Sequence, residues 1–188
     1  MSVPEFALVL DEVRAALQAV EGAALAELER RIGAARRVYV AGAGRSGLVM
    51  RGFAMRLMHL GLQVHVVGDV TTPAVGADDL LIVGSGSGET ESLAAVARKA
   101  RRIGAGLALI TIVPASTLGQ LADVVLRLDA PSPKASPPPG AAPRASAQPM
   151  GSLFEQALLV LVDTIVLRLA RARGATYEEM FARHANLE

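Results

Sequence analysis

With 188 residues, 52% of them hydrophobic, the chain is long enough for one α/β domain with a sizeable core and additional helices. Its 19 Lys and Arg nearly balance 18 Asp and Glu, and aromatics make up only 3%, which excludes a bulk field for nucleic acid or anionic membrane and a base-stacking platform. The lack of cysteine removes disulfides, thiolate nucleophiles and cysteine zinc sites together, and suits a cytoplasmic protein.

Glu5, Asp11 and Glu12 interrupt the first apolar run, so it does not read as a signal peptide. Pro4 stands where a first-turn proline is tolerated, and Phe6, Leu10, Val13, Leu17 and Val20 follow at helical spacing. Gly22 is expected to break this helix, with Leu25, Leu28 and Ile32 continuing in a second. Residues 1–35 are therefore expected to form a helical arm, packed on the domain or on a partner chain. Val38-Tyr39-Val40-Ala41 reads as the first strand. It runs into Gly42-Ala43-Gly44-Arg45-Ser46-Gly47 and then a helix through Phe53, Leu57 and Leu60, with Gly61 as the stop. Val64, Val66 and Val67 form a second strand, and residues 71–79 a loop.

Leu80-Leu81-Ile82-Val83 reads as a strand buried on both faces, as in a parallel sheet. The run stops at Gly84-Ser85-Gly86-Ser87-Gly88-Glu89-Thr90. A helical pattern begins at once, with Leu93, Val96, Ala97, Ala100 and Ile103 on one face and Arg98, Lys99, Arg101 and Arg102 on the other. A helix N-terminus offers unpaired N–H groups and a positive dipole end to an anion. Three glycines let the backbone approach, and Ser85, Ser87 and Thr90 add hydroxyl donors. A phosphate group is the natural guest, against the plainer reading of a glycine-rich turn with capping serines.

Leu107 to Ile112 is the fourth strand, ended before Pro114; a short helix is expected over Thr117 to Ala122 and a fifth strand over Val124 to Leu126. Strands alternating with helices indicate a parallel sheet, and five strands fit the flavodoxin-like order 2-1-3-4-5 with helices on both faces. That order opens a crevice between strands one and three, bringing both glycine-rich turns to one site. Residues 130–149, rich in Pro, Ala and Ser, read as an extended surface loop. A long helix is expected from about Gly151 to Arg173, apolar on nearly every face between Ala157 and Leu169, hence buried all round and pointing to an oligomer interface. Its longest apolar run, Ala157 to Leu167, is interrupted by Asp163 and too short to span a bilayer. A short helical segment over Tyr177 to Arg183 and a polar tail close the chain.

Gly42, Gly44 and Gly47 match the G-x-G-x-x-G dinucleotide fingerprint, and Asp69 comes after the second strand where a ribose ligand would stand. A dinucleotide leaves the hydroxyl-rich second turn unexplained. A small phosphorylated ligand held between the turns accounts for both, with Ser46 and Arg45 reaching it from the first. His59 and His65 read as structural, and no spacing resembles a metal site. Glu155, in the first turn of the long helix, reads equally as a dipole-favoured carboxylate and as a general base on a rigid element. His184, taken alone, reads as solvated.

The pair of turns resembles the sugar isomerase (SIS) domain. Within it, Gly42 to Gly47, the run Gln148-Pro149-Met150-Gly151-Ser152-Leu153-Phe154-Glu155-Gln156 and the ending Arg183-His184-Ala185-Asn186-Leu187-Glu188 are similar to the 6-phospho-3-hexuloisomerase family, over nearly the whole chain. One departure is Ser136 to Ala147, richer in Pro and Ala than that family's pattern. The resemblance implies interconversion of D-arabino-3-hexulose 6-phosphate and D-fructose 6-phosphate through an enediol, in formaldehyde fixation by the ribulose monophosphate route. No metal or other cofactor is implied. Carried over by position, Glu155 is the base, and His184 a polarising donor or second proton carrier. Gly44, Arg45, Ser46, Ser85, Gly86, Ser87, Gly88, Glu89 and Thr90 form the substrate and phosphate site. The resemblance further implies a cytoplasmic homotetramer, active sites shared between subunits, and functional pairing with a hexulose-phosphate synthase. Another SIS-type aldose–ketose phosphate isomerase, or a sugar-phosphate sensor without catalysis, are the rival expectations.

Overall fold

A computed structural model of the chain describes residues 3–131 and 145–187. Five strands alternate with helices: β1 (Val38–Gly42), β2 (Val64–Val66), β3 (Leu80–Gly84), β4 (Gly106–Thr111) and β5 (Val124–Arg127). All pair in parallel, in the order β2-β1-β3-β4-β5, as expected from the alternation. The continuous apolar runs of β1, β3 and β4 arise from burial on both faces. Val38, Val40, Leu80, Ile82, Ala108 and Ile110 point to one side, and Tyr39, Ala41, Leu81, Val83, Leu107 and Leu109 to the other. Each strand residue so buried contributes roughly 1.5–3 kcal/mol for a Val- or Ile-sized side chain.

The first face is covered by α1 (Pro4–Leu17), α2 (Gly22–Ala34), α3 (Gly44–His59) and α6 (Ser152–Arg173). The second is covered by α4 (Glu91–Ile103) and the short α5 (Thr117–Leu121). On α4 the Leu93, Ala94, Ala97 and Ala100 side is buried and the arginines face water; Gly104, at φ 93, ends it in the left-handed region. Last comes α7 (Tyr177–Phe181), started by a capping box between Thr176 and Glu179.

One expectation is corrected. Two helices form as expected, but the first already ends at Leu17, and Gly22 is the first residue of the second rather than the stop of the first. Within the single chain the long helix is buried on one side only. Leu158, Leu161, Val162 and Ile165 enter the core, while Leu159, Val160 and Leu167 lie 43–48% exposed on the opposite side. The N-terminal arm does pack on the domain: Val13 and Ala16 of α1 are buried against α6, and Leu28 and Ile32 of α2 near β5. Phe6 and Leu10 remain exposed. Most of the Pro- and Ala-rich loop, residues 132–144, and Glu188 of the tail lie outside the described residues.

Candidate active site

The register of the sheet builds the site. Gly42 at the end of β1 and Gly84 at the end of β3 are directly paired, so the two turns leave the sheet side by side. The crossover from β1 runs outward to β2 and that from β3 the other way to β4, which opens the crevice between them. In the first turn a Cβ on Gly47 would come within 2.7 Å of the Gly42 carbonyl oxygen, so only glycine lets the helix start this close to its strand. In the second, Gly88 sits at φ 67 and a Cβ there would collide with Ser116 Oγ.

A cavity of about 290 Å³ lies between the turns and the start of α6. Gly44, Arg45 and Ser46 line it from the first turn, Ser85, Gly86, Ser87 and Thr90 from the second, and Met150, Gly151 and Glu155 from the third side. Three long helices therefore begin at one cavity. Their N-cap residues Ala43, Thr90 and Gly151 make no side-chain capping bond. Three uncapped, positively polarised helix ends aimed at one space make a strong anion site. Nothing in the two turns alone announces the third.

The hydroxyls are partly engaged in holding the turn. Ser85, buried, accepts the Gly88 N–H at 3.2 Å and stands 3.5 Å from Thr90 Oγ1; Ser87 Oγ accepts the Glu89 N–H at 3.2 Å. Gly88 and Glu89, grouped with the phosphate site from the sequence, stand behind the turn and do not line the cavity. Glu89 accepts the Thr117 N–H at 2.7 Å at the start of α5. These bonds from Thr117 hold its carboxyl below the ordinary carboxylate range. No local pattern marks Thr111, yet its hydroxyl donates to the Gly86 carbonyl at 3.1 Å and braces the turn from β4.

Glu155 reaches the cavity from the first turn of α6, with its side chain 18% exposed. Arg45 Nη1 lies 2.9 Å from Glu155 Oε2 and donates to Ser152 Oγ at 3.0 Å. The contact to Glu155 lacks hydrogen-bond geometry, so Oε2 stays buried, attracted by charge but without a donor of its own. Phe154, Leu93 and Ile112 supply an apolar wall beside it. Met150, lining the same side, is the one described non-glycine residue at positive φ (57°).

The structure does not bring His184 to this cavity. The tail folds back on the far end of α3, where the His184 ring stacks 5.4 Å from His59 and 6.0 Å from Phe181. Arg183 Nη1 donates to the His59 carbonyl at 3.1 Å. Since α3 has 16 residues and starts at the cavity, about 24 Å of helix separates the chain's own His184 from its own site. His65, on β2, lies against Tyr39 of β1 with ring centroids 5.4 Å apart and the planes tilted by 38°. Asp69 forms an ion pair with Arg51 at 2.7 Å and does not line the cavity.

Residues 32–160 match the model of the SIS domain. The chain belongs to the SIS domain family. It is 42% identical over 180 residues to a 3-hexulose-6-phosphate isomerase of Bacillus subtilis, covering 96% of this chain and 95% of that protein. To one of Mycobacterium gastri it is 46% identical over 181 residues, covering 96% and 88%. The crystal structure of the hypothetical protein MJ1247 from Methanococcus jannaschii, for which a molecular function of 3-hexulose-6-phosphate isomerase was inferred, superposes with a TM-score of 0.85. The identity there is 32%, covering 99% of this chain and all of that one.

Proposed function

We propose that this SIS protein interconverts D-arabino-3-hexulose 6-phosphate and D-fructose 6-phosphate. One observation carries the reading: a mostly buried carboxylate at the start of α6 and an uncapped, hydroxyl-rich turn before α4 face the same small cavity. The similarity to two 3-hexulose-6-phosphate isomerases over nearly the full chain selects this sugar.

The substrate phosphate sits against the N-terminus of α4, held by backbone N–H groups and the hydroxyls of Ser46, Ser85, Ser87 and Thr90. From there the sugar chain runs toward α6. Glu155 takes the proton from C2, the electrons of that C–H bond form the C2–C3 double bond, and the C3 carbonyl oxygen accepts a proton from a donor. The enediol then gives up its C2 hydroxyl proton while C3 is protonated, which leaves the carbonyl at C2 with no net oxidation. The 3-ketose cannot close a five-membered ring, because the oxygen it would need carries the phosphate, so no ring-opening acid is required in that direction.

The donor in this reading is His184 of a neighbouring subunit, since the chain's own His184 lies at the opposite end of α3. The exposed Leu159, Val160 and Leu167 on α6, with Phe6 and Leu10 on α1, support such an assembly, read here as a cytoplasmic homotetramer. A hexulose-phosphate synthase, forming the 3-ketose from formaldehyde and ribulose 5-phosphate, is the functional partner. Steady-state turnover on a panel of hexulose, pentose and heptose phosphates tests the reaction, together with exchange of the C2 proton into solvent. Glu155→Gln should lower kcat about 10²–10⁴-fold with KM little changed, and slow exchange in parallel. Turnover of another sugar phosphate alone, or full exchange in the Gln variant, would overturn this assignment.

A further inference from the structure

The stretch that enters α6 is fastened by a residue outside the cavity. Glu12, on α1, accepts Ser146 Oγ at 2.7 Å and Gln148 Nε2 at 3.0 Å on one carboxylate oxygen, and the Ala147 N–H at 2.8 Å on the other. Ser146 Oγ in turn accepts the Gln148 N–H at 3.0 Å, and Gln148 is buried. Burial works against the charge on Glu12, but the bonds from Ala147, Gln148 and Ser146 outweigh it and hold the carboxyl below its ordinary range. One helical turn further along, the Ala16 carbonyl accepts the Asp129 N–H at 3.0 Å. The chain thus meets α1 twice, on leaving β5 and before entering α6.

The residues just beyond the Glu12 contact bear on the chemistry. Pro149 leads to Met150 and Gly151, both lining the cavity, and Glu155 comes one turn later. Met150 at φ 57 occupies a region that is strained for a non-glycine residue and persists only when its surroundings fix it. The three bonds to Glu12 are the fixing contacts immediately before it.

We propose that Glu12 is a positioning residue for the isomerase site, holding residues 146–148 so that Met150, Gly151 and Glu155 keep their places against the bound sugar; this rests on the reading of Glu155 as the base. Neutral side chains cannot replace it. Glutamine offers one acceptor oxygen and turns an NH₂ toward donors, and alanine offers none.

The test uses Glu12→Gln and Glu12→Ala in the full chain, with Glu12→Asp as the conservative control. Amide hydrogen exchange over residues 147–155 should quicken about tenfold in the Gln and Ala variants, while that over residues 85–90 is unchanged. Turnover of the 3-ketose should fall about tenfold in kcat, with KM and inhibition by inorganic phosphate held within about twofold, and Glu12→Asp should recover part of kcat. If Glu12→Ala unfolds, the near-isosteric Gln variant decides. Unaltered exchange over 147–155 overturns the clamp whatever the activity. Quickened exchange with unaltered kcat overturns the positioning role and leaves a structural one. An unsubstituted chain that does not turn over the 3-ketose overturns the functional reading and with it the catalytic half of this inference, while the exchange result still judges the clamp.

Discussion

Mixing two inactive chains tests the sharing of the site between subunits. Within one chain about 24 Å of α3 lies between the cavity and the docked tail, so an essential His184 must serve a neighbour's cavity. In a two-fold pair each site then draws Glu155 from one subunit and His184 from the other. A hybrid of an E155Q chain with an H184A chain collects both lesions in one site and leaves the second whole. Each hybrid pair should recover about half of the unsubstituted turnover, and a random equal mixture, in which half the pairs are hybrid, about a quarter. Against parents reduced roughly 10²-fold or more, recovery of this size is easily seen. Differently tagged chains are co-expressed, the hybrid is isolated through both tags and its composition confirmed by native mass spectrometry. Turnover is then read as appearance of fructose 6-phosphate. A confirmed hybrid as inactive as its parents would refute the shared site. Full activity of His184→Ala alone would reduce the tail to a structural element.

Ser85→Ala and Thr90→Ala should each weaken substrate binding by roughly 1–3 kcal/mol, seen in KM and in inhibition by inorganic phosphate rather than in kcat; unchanged affinity in both removes the phosphate assignment. Gly88→Ala forces a side chain into positive φ and onto Ser116 Oγ, and should cost about 2–5 kcal/mol in denaturant unfolding, with no loss expected if the turn can relax freely. Burial, then the charges of Arg56 and His184, push the His59 pKa below its ordinary 6.5, so the folded protein favours the neutral ring. Below that value the unfolded chain binds the extra proton. Stability present at neutral pH should therefore decline on acidification through the range beneath 6.5, and His59→Gln should flatten that part of the profile; equal slopes in both proteins would contradict it.

Local chemistry, and the topology rule that joins it, are legible in the sequence. Strand, glycine-rich turn and helix succeed each other within a dozen residues at both turns, and the parallel order then places the turns together without further information. Residues whose meaning depends on distant partners are not legible in this way. Glu89 looks like part of the phosphate turn, but its carboxylate serves Thr117, 28 residues away. Arg45 and Glu155 stand 110 residues apart, and no local pattern announces their contact. Uniform apolarity hides which side of α6 enters the core, because Leu158 and Leu159 look alike until the neighbouring helices are in place. Gly22 reads as a breaker on propensity, whereas α2 starts there with Glu21 as an extended N-cap, a position where glycine's weak helix preference matters little.

The direct pairing of Gly42 with Gly84 has a consequence for how such a site can change over time. In the proposed reading, the grip on the anion is built from strand ends and helix starts, and its geometry is locked by the register of the sheet. A single residue inserted into β1 or β3 would displace one turn by about 3.3 Å and turn its side chains to the wrong face. That half of the site is nearly immutable. The carboxylate arrives on a different element, joined to the sheet only through α6 and the few residues before it. On that reading, replacing residues 148–156 would change or abolish the reaction and remove one of the three helix ends, while the two turns assigned to the phosphate stay in place. A fold divided in this way can exchange its chemistry piecewise without first losing its ligand.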